Sequence, residues 1–473
     1  MEERKLKGSI CDEEQHQEEK EPVSPTGQYY NSKALCVSIL AVLESEVPID
    51  DSSALDLLKS VFLPINPRFS SIMVTDENGG KYWKKVNIKV EDHLNVPVIP
   101  NGLSFESHEE YFQEYLTKLA LEQLPQCRPL WEMHIFKYPT TNAAGTIIFK
   151  LHHALGDGYS LMGALFSCLQ RTDNPSLPLT LPKIRSPDYM KKSVVGLFSL
   201  FMNTVKDFAW SLAKSSVLED DVTPIRSGTF GTEFKPVSIT TVTFSLDQIK
   251  QIKAKLGGTI TDVIASIIFY GTRQYMEASS KGSGIAHSTA LVLVNTREIT
   301  TYQTVQEMAK PDTKAPWGNN FGFIHVPIPE MSNAKTYDPI DDYVSKATKM
   351  ITEKKNSLAV SLTGSLLEMV RRFKDSEVVA KYIHGISQKT SMVITNMIGP
   401  VEQVSLADHP VTGLYFMVVN VPQNLTITAV SYMGKLRITV GADKELINDK
   451  LFNRCMEDAF ETIFNDAINA TSS

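Results

Sequence analysis

Along this chain apolar stretches with strand-like and helix-like spacing follow one another, separated by turn-forming residues. Residues 145–151 are dominated by β-branched, aromatic and aliphatic side chains, which predicts a buried strand. Residues 160–169 lack proline and set Leu161, Leu165, Cys168 and Leu169 at helical spacing, which predicts a helix. Between them lies His152-His153-Ala154-Leu155-Gly156-Asp157-Gly158, a polar loop with two glycines. The same reading predicts strands at 35–43, 83–90, 133–138, 237–244, 290–294, 323–326, 414–419, 425–432 and 435–441, with a further strand starting at Ile72. Helices are predicted at 53–62, 111–124, 246–256, 263–275, 341–357, 361–373 and 449–467.

The pattern breaks twice. Residues 1–21 are charged and polar, with Asp12-Glu13-Glu14 among them, and predict a disordered acidic segment without a secretory leader. Residues 173–187 are proline-rich and read as an extended crossover. Beyond them, 191–214 places Val194, Leu197, Phe198, Phe201, Val205, Phe208 and Leu212 on one helical face. Its unbroken apolar run, 194–202, is short of the roughly 20 residues a bilayer span requires. Two readings stay open: a helix lying in a membrane interface, or one packed on its own protein. At 473 residues the chain exceeds one ordinary core. The breaks divide it into 22–172, a crossover 173–235, and 236–473. A net charge of −7 argues against nucleic acid as a partner. The five cysteines lack metal or disulfide spacing, as in a reducing compartment.

The loop after the first buried strand carries the candidate chemistry. An imidazole titrates near neutrality, at about 6.5, so it can take a proton from a hydroxyl without a standing charge. His152 and His153 are neighbours on an extended chain and point to opposite faces, so one faces a cleft while the other is held within the fold. The same geometry stops them sharing a metal ion, and none is expected. Asp157 stands where a helix begins; a capping or charge-pairing role competes there with direct chemistry.

His-His-x-x-x-Asp-Gly is the signature of the acyl-CoA-dependent acyltransferase superfamily, and the chain resembles it further in its Pro67-Arg68-Phe69, Pro129-Leu130-Trp131, Asn295-Thr296-Arg297, Gly318-Asn319-Asn320-Phe321-Gly322 and Asn396-Met397-Ile398-Gly399-Pro400 blocks. It is most similar to the plant wax ester synthase/diacylglycerol acyltransferase (WSD) family. One block departs from the family pattern: Thr261-Asp262 stands where an Asn-Asp pair is usual. The resemblance implies an α/β fold of two chloramphenicol acetyltransferase-like domains, mixed sheets flanked by helices, with a tunnel at their interface. It implies transfer of a long-chain fatty acyl group from acyl-CoA to a long-chain alcohol or diacylglycerol. Acyl-CoA is then a co-substrate rather than a cofactor. A BAHD-like acyltransferase and a catalytically silent lipid or acyl-CoA binder are the alternatives; the late Asp-Phe-Gly-Trp-Gly block of the BAHD enzymes is absent.

By the same resemblance His153 is the general base, with His152 and Asp157 in the catalytic loop and Asp157 paired with Arg297. Gly158, Thr261, Asn295 and Arg297 are the structural or oxyanion candidates. A Thr261 hydroxyl could replace the usual amide at shorter reach, or cap the helix. Plant members suggest attachment to the endoplasmic reticulum membrane, with the plasma membrane a second location and the catalytic domains cytosolic.

Overall fold

The computed structural model describes residues 21–77, 79–100, 102–182, 218–256, 258–297, 302–310, 312–331, 343–355 and 376–469. The histidine-bearing strand, Gly145–His152, is buried along its whole length in a seven-stranded sheet. Across that sheet run Leu94–Asn95, Trp131–Phe136, Gly145–His152, Ser38–Ser45, His409–Val419, Val404–Leu406 and Gln170–Arg171. The sheet is mixed: Leu94–Asn95 runs parallel to Trp131–Phe136, while Gly145–His152 is antiparallel to both its neighbours. Helices cover it, with helix Gly158–Cys168 apolar and buried at all but a few positions.

A second sheet, six-stranded, runs Phe321–Pro327, Thr289–Asn295, Met392–Ile398, Leu425–Tyr432, Lys435–Asp443 and Val237–Ser245. Helices Ile260–Ser279 and Asp449–Asn469 pack together against it, and Val263, Ile267, Phe452 and Ile463 are fully buried in their shared core. The first of these helices begins earlier than its apolar pattern suggests. Thr259 and Asp262 form a reciprocal cap, each side chain bonding the other's backbone N–H, which satisfies two otherwise orphaned donors.

A boundary at 236 does not hold for residues 404–419. Strands Val404–Leu406 and His409–Val419 belong to the first sheet, the latter pairing with Ser38–Ser45 from Val411↔Ser45 to Val419↔Ser38. Together the two strands fill the place between Ser38–Ser45 and Gln170–Arg171 of the first half, and alternation along a single strand cannot show which sheet receives it. The two sheets are also joined by ion pair Glu44–Arg437 and by the Tyr432 hydroxyl, which donates to Val411 O at 2.8 Å.

Several predicted elements have shifted ends. The predicted helix at 111–124 is Phe105–Leu121, begun by Ser104, whose hydroxyl accepts from Ser107 N. The strand at 83–90 is Lys81–Lys85, with a single 3₁₀ turn, Val90–His93, after it. Trp131 is fully buried, donates from Nε1 to Phe69 O at 2.8 Å and stacks on His93, so the Pro-Leu-Trp and Pro-Arg-Phe blocks meet in the core. The acidic residues 1–20, the amphipathic segment 191–214 and the helix predicted at 361–373 lie outside the described residues, as does part of 341–357, where helix Ser345–Lys355 is seen. Among the described residues no helix is long and apolar enough to cross a membrane.

Candidate active site

His153 continues the strand pattern by one residue: its N–H donates to Val37 O at 2.9 Å. Side chains on a strand alternate, so Phe149, Leu151 and His153 share one face while Lys150 and His152 share the other. The loop then turns back at Leu155, whose N–H donates to His152 O. Leu155 O is gripped by two donors, Arg68 Nη1 at 3.1 Å and Trp317 Nε1 at 2.9 Å. Arg68, from the Pro-Arg-Phe block, is buried and paired with Glu21, so that block holds the motif loop from beneath.

The His153 ring is fixed by a side chain from the other half of the chain. Asn319 Nδ2 donates to His153 O at 3.0 Å, which turns Asn319 Oδ1 toward His153 Nδ1 at 2.9 Å. An amide oxygen only accepts, so Nδ1 carries the proton and Nε2 keeps its lone pair. Tyr30 lies against the ring at 4.7 Å between centroids, and Phe321 at 5.5 Å. Burial pulls the His153 pKa below its usual value, against opposing pulls from Asp157 and Asn319. The imidazole is therefore neutral at neutral pH and ready to accept a proton. The acid limb of kcat/KM is expected to fall below pH ~6.5, the ordinary histidine value, with activity level from there through neutrality. A pH–rate profile on a soluble acceptor checks this; an acid limb centred above that value contradicts it.

His152 faces the other way and is fully buried. Its Nδ1 accepts from Ala154 N at 3.1 Å, leaving Nε2–H for Cys36 Sγ at 3.4 Å. Desolvation, with lesser contributions from His153 and Lys150, pushes its pKa down to about 3. This folded value lies below the unfolded one, so the stability His152 contributes is full above pH ~6.5 and is lost as pH falls from there toward about 3.

Asp157 is the N-cap of helix Gly158–Cys168, accepting from Ser160 N at 3.0 Å. It also meets Arg297 in a two-pronged pair, Nη1–Oδ2 at 2.7 Å and Nη2–Oδ1 at 3.1 Å, and accepts from Asn320 N at 2.8 Å. The remaining guanidinium donors reach Gly318 O, Ser160 Oγ and Pro316 O, and the group stacks over Tyr159 at 4.8 Å. This is the pairing expected for Asp157 and Arg297. It makes them a lock between the motif loop and the second half rather than proton carriers. Gly318, at φ +124, turns its carbonyl to the Asp157 and Ser160 donors as well; a side chain is strained in that backbone region.

The other candidates are placed differently. Asn295 is exposed, and its Oδ1 accepts from Arg297 N at 2.9 Å, so it shapes the turn that presents the arginine instead of facing His153. Thr261 is half-buried in the first turn of helix Ile260–Ser279; Thr259 is the cap, and among the described residues no hydrogen bond joins Thr261 to the histidine loop. Gly158 does border the site, and a Cβ there would stand 3.2 Å from Met397 Sδ.

Beside Gly158 lies a small apolar cavity. One wall is the helix, with Leu161, Met162 and Leu165; the other is the sheet face of Ile39, Ala41, Phe149 and Leu151. It lies largely within the first half, between sheet and helix, and Met397 brings in the second sheet. Phe149 and Leu151 of this wall lie on the same face of the chain as His153. Among the described residues no group of three or more His, Cys, Asp or Glu side chains is arranged to hold a metal.

Asn319, Tyr30, Phe321 and Ser160 were not among the candidates. Asn319 and Phe321 lie inside the Gly-Asn-x-x-Gly block, which is the available signal. Tyr30 carries none, because its ring meets His153 only through the fold.

A neutral histidine at a strand end, its loop locked by an aspartate–arginine pair to the second of two mixed sheets, is the arrangement of an acyltransferase of the histidine-motif superfamily. The wax ester synthase/diacylglycerol acyltransferase catalytic domain matches residues 98–264, and the WS/DGAT C-terminal domain matches residues 317–464. Wax ester synthase/diacylglycerol acyltransferase 4 of Arabidopsis thaliana is 32% identical over 91% of this chain and 87% of its own length. The chain belongs to this family. The structure of the wax ester synthase/diacylglycerol acyltransferase from Marinobacter aquaeolei VT8 superposes with a TM-score of 0.58 at 15% identity, over 94% of this chain and 99% of that one. The first condensation domain of the CDA synthetase superposes at 0.52 with 11% identity, over 91% and 90%.

Proposed function

We propose that this chain transfers a long-chain fatty acyl group from acyl-CoA to the hydroxyl of a long-chain alcohol, giving a wax ester, or of diacylglycerol, giving triacylglycerol. The observation that carries this is His153, neutral, its Nδ1 held by Asn319 so that Nε2 keeps its lone pair for an acceptor hydroxyl. Nε2 takes the proton of the acceptor hydroxyl as its oxygen attacks the thioester carbonyl carbon. The tetrahedral intermediate collapses with cleavage of the C–S bond, and the imidazolium returns its proton to the departing CoA thiolate. Asn319 and the Asp157–Arg297 lock hold the ring and loop still through both transfers. Purified protein given a panel of acyl-CoAs with alcohols or diacylglycerol, followed by identification of the lipid products, tests the proposal. Esters of either acceptor support it; acylation confined to small, polar alcohols contradicts it.

The site of action we propose is the cytosolic face of the endoplasmic reticulum membrane, with the plasma membrane as a second location. Support comes from the sequence of residues 191–214, whose apolar stripe is accompanied by Lys191, Lys192, Lys206 and Lys214. Replacing both Phe198 and Phe201 by Ser is expected to weaken liposome binding and slow turnover of membrane-borne acceptors, while activity on a short soluble alcohol survives. Parallel loss of both activities with loss of folding would make the segment ordinary core packing.

A further inference from the structure

Acyl transfer puts negative charge on the thioester carbonyl oxygen as the tetrahedral intermediate forms, and a hydrogen-bond donor placed beside that oxygen lowers the barrier. Asn295 and Thr261 are not placed for this: the first shapes the Arg297 turn, and the second lies in the first turn of helix Ile260–Ser279. A different donor is carried to the histidine by helix Pro25–Tyr30. Ser24 caps this helix, its hydroxyl accepting from Gly27 N at 3.1 Å. The helix lies close against the motif loop, where a Cβ on Gly27 would stand 3.3 Å from Ala154 O, nearer than ordinary contact. Tyr30 ends the helix, and Val37 links its backbone to the histidine. Val37 N donates to Tyr30 O at 3.3 Å, and His153 N donates to Val37 O at 2.9 Å. The phenol ring is thereby held 4.7 Å from the imidazole between centroids, with Phe321 stacked on it at 6.0 Å.

The neighbouring Tyr29 shares its hydroxyl with Thr26 Oγ1 at 2.9 Å. Tyr30 is half-buried, and among the described residues its hydroxyl has no hydrogen-bond partner. Burial, with a lesser contribution from Tyr29, holds the phenol well above its usual pKa, so it keeps its proton throughout the range in which His153 serves as base. We propose that the Tyr30 hydroxyl donates a hydrogen bond to the carbonyl oxygen of the acyl thioester as that oxygen becomes negative. The inference rests on the acyltransferase reading and adds a catalytic residue to it. When the acceptor oxygen attacks, the C=O π pair moves onto the carbonyl oxygen, and Tyr30 stabilises that charge while keeping its own proton. On collapse the pair re-forms the double bond and the C–S bond breaks; the proton that moves is carried by His153.

The test is Tyr30→Phe in the full chain, with palmitoyl-CoA and hexadecanol as substrates. The change keeps the ring against His153 and removes only the hydroxyl, which bonds nothing else in the fold. The expected result is a fall in kcat of about 10²–10³-fold, the usual loss of one oxyanion donor, with KM little changed. Urea unfolding, the acid limb of the pH–rate profile and binding of hexadecyl-CoA, a thioether without the carbonyl oxygen, are expected to match the wild type. A wild-type kcat overturns the proposal, since the ring then acts by packing alone. So does a shifted acid limb, which would place the hydroxyl's effect on His153, or an equal loss of hexadecyl-CoA binding, which would place it on the ground state. Failure to fold would make the hydroxyl structural and overturns it as well. An inactive His153→Ala beside a fully active Tyr30→Phe removes this inference alone, whereas a wild type that makes no ester removes the acyltransferase reading beneath it.

Discussion

His153→Ala is expected to lower kcat/KM for acyl transfer by about 10²–10⁴-fold, the usual loss when a positioned base is removed. Among the described residues the ring's aromatic and hydrogen-bond contacts are confined to Tyr30, Phe321 and Asn319, so the folded state and acyl-CoA binding should survive. His152→Ala should behave in the opposite way. It strands the buried Ala154 N–H and takes the partner from the half-buried Cys36 thiol, at a cost of about 1–3 kcal/mol in stability, with a smaller effect on chemistry. Steady-state kinetics and urea unfolding of the two purified variants separate these outcomes. Near-normal turnover in the His153 variant with loss in the His152 variant would reverse the assignment within the pair.

Asp157→Ala should be among the most destabilising single substitutions in this protein. The carboxylate accepts from Arg297, Ser160 N and Asn320 N, and its loss leaves a guanidinium buried without a counter-charge. Breaking one side of a buried pair typically costs about 3–5 kcal/mol. Arg297→Lys should recover little, because an ammonium cannot reproduce the two-pronged bond or the contacts to Gly318 O and Pro316 O. Activity should fall in both through displacement of the loop. A shift in unfolding free energy below about 1 kcal/mol, as for an exposed pair, would show that the lock is not closed in solution.

Much of this arrangement was visible before any coordinates. The strand–loop–helix around His152 and His153 follows from a β-branched run, two glycines and a helical stripe, all local features. The pairing of Asp157 with Arg297 was implied by resemblance and is present in the structure. What local pattern could not reveal is partnership across long separations. Asn319 reaches His153 over 166 residues, and Tyr30 meets the same ring from a short helix near the described N-terminus. Strand His409–Val419 reads as any buried strand would, yet its hydrogen bonds go to Ser38–Ser45 in the first sheet. The resemblance makes Asn295 and Thr261 structural or oxyanion candidates, with a helix cap as the other reading of Thr261. Asn295 instead spends its side-chain oxygen on the Arg297 turn, and helix Ile260–Ser279 is capped two residues before Thr261.

The most direct test of the central claim is the stoichiometry of one reaction. Purified protein is supplied with palmitoyl-CoA and hexadecanol, and free CoA thiol and palmityl palmitate are measured together over time. A neutral histidine acting as the base for an alcohol predicts one ester formed for each thiol released, with release dependent on the alcohol and lost in His153→Ala. Thiol release without ester would mean that water is the acceptor, and binding of palmitoyl-CoA without release would make the chain a silent binder; either result contradicts the account.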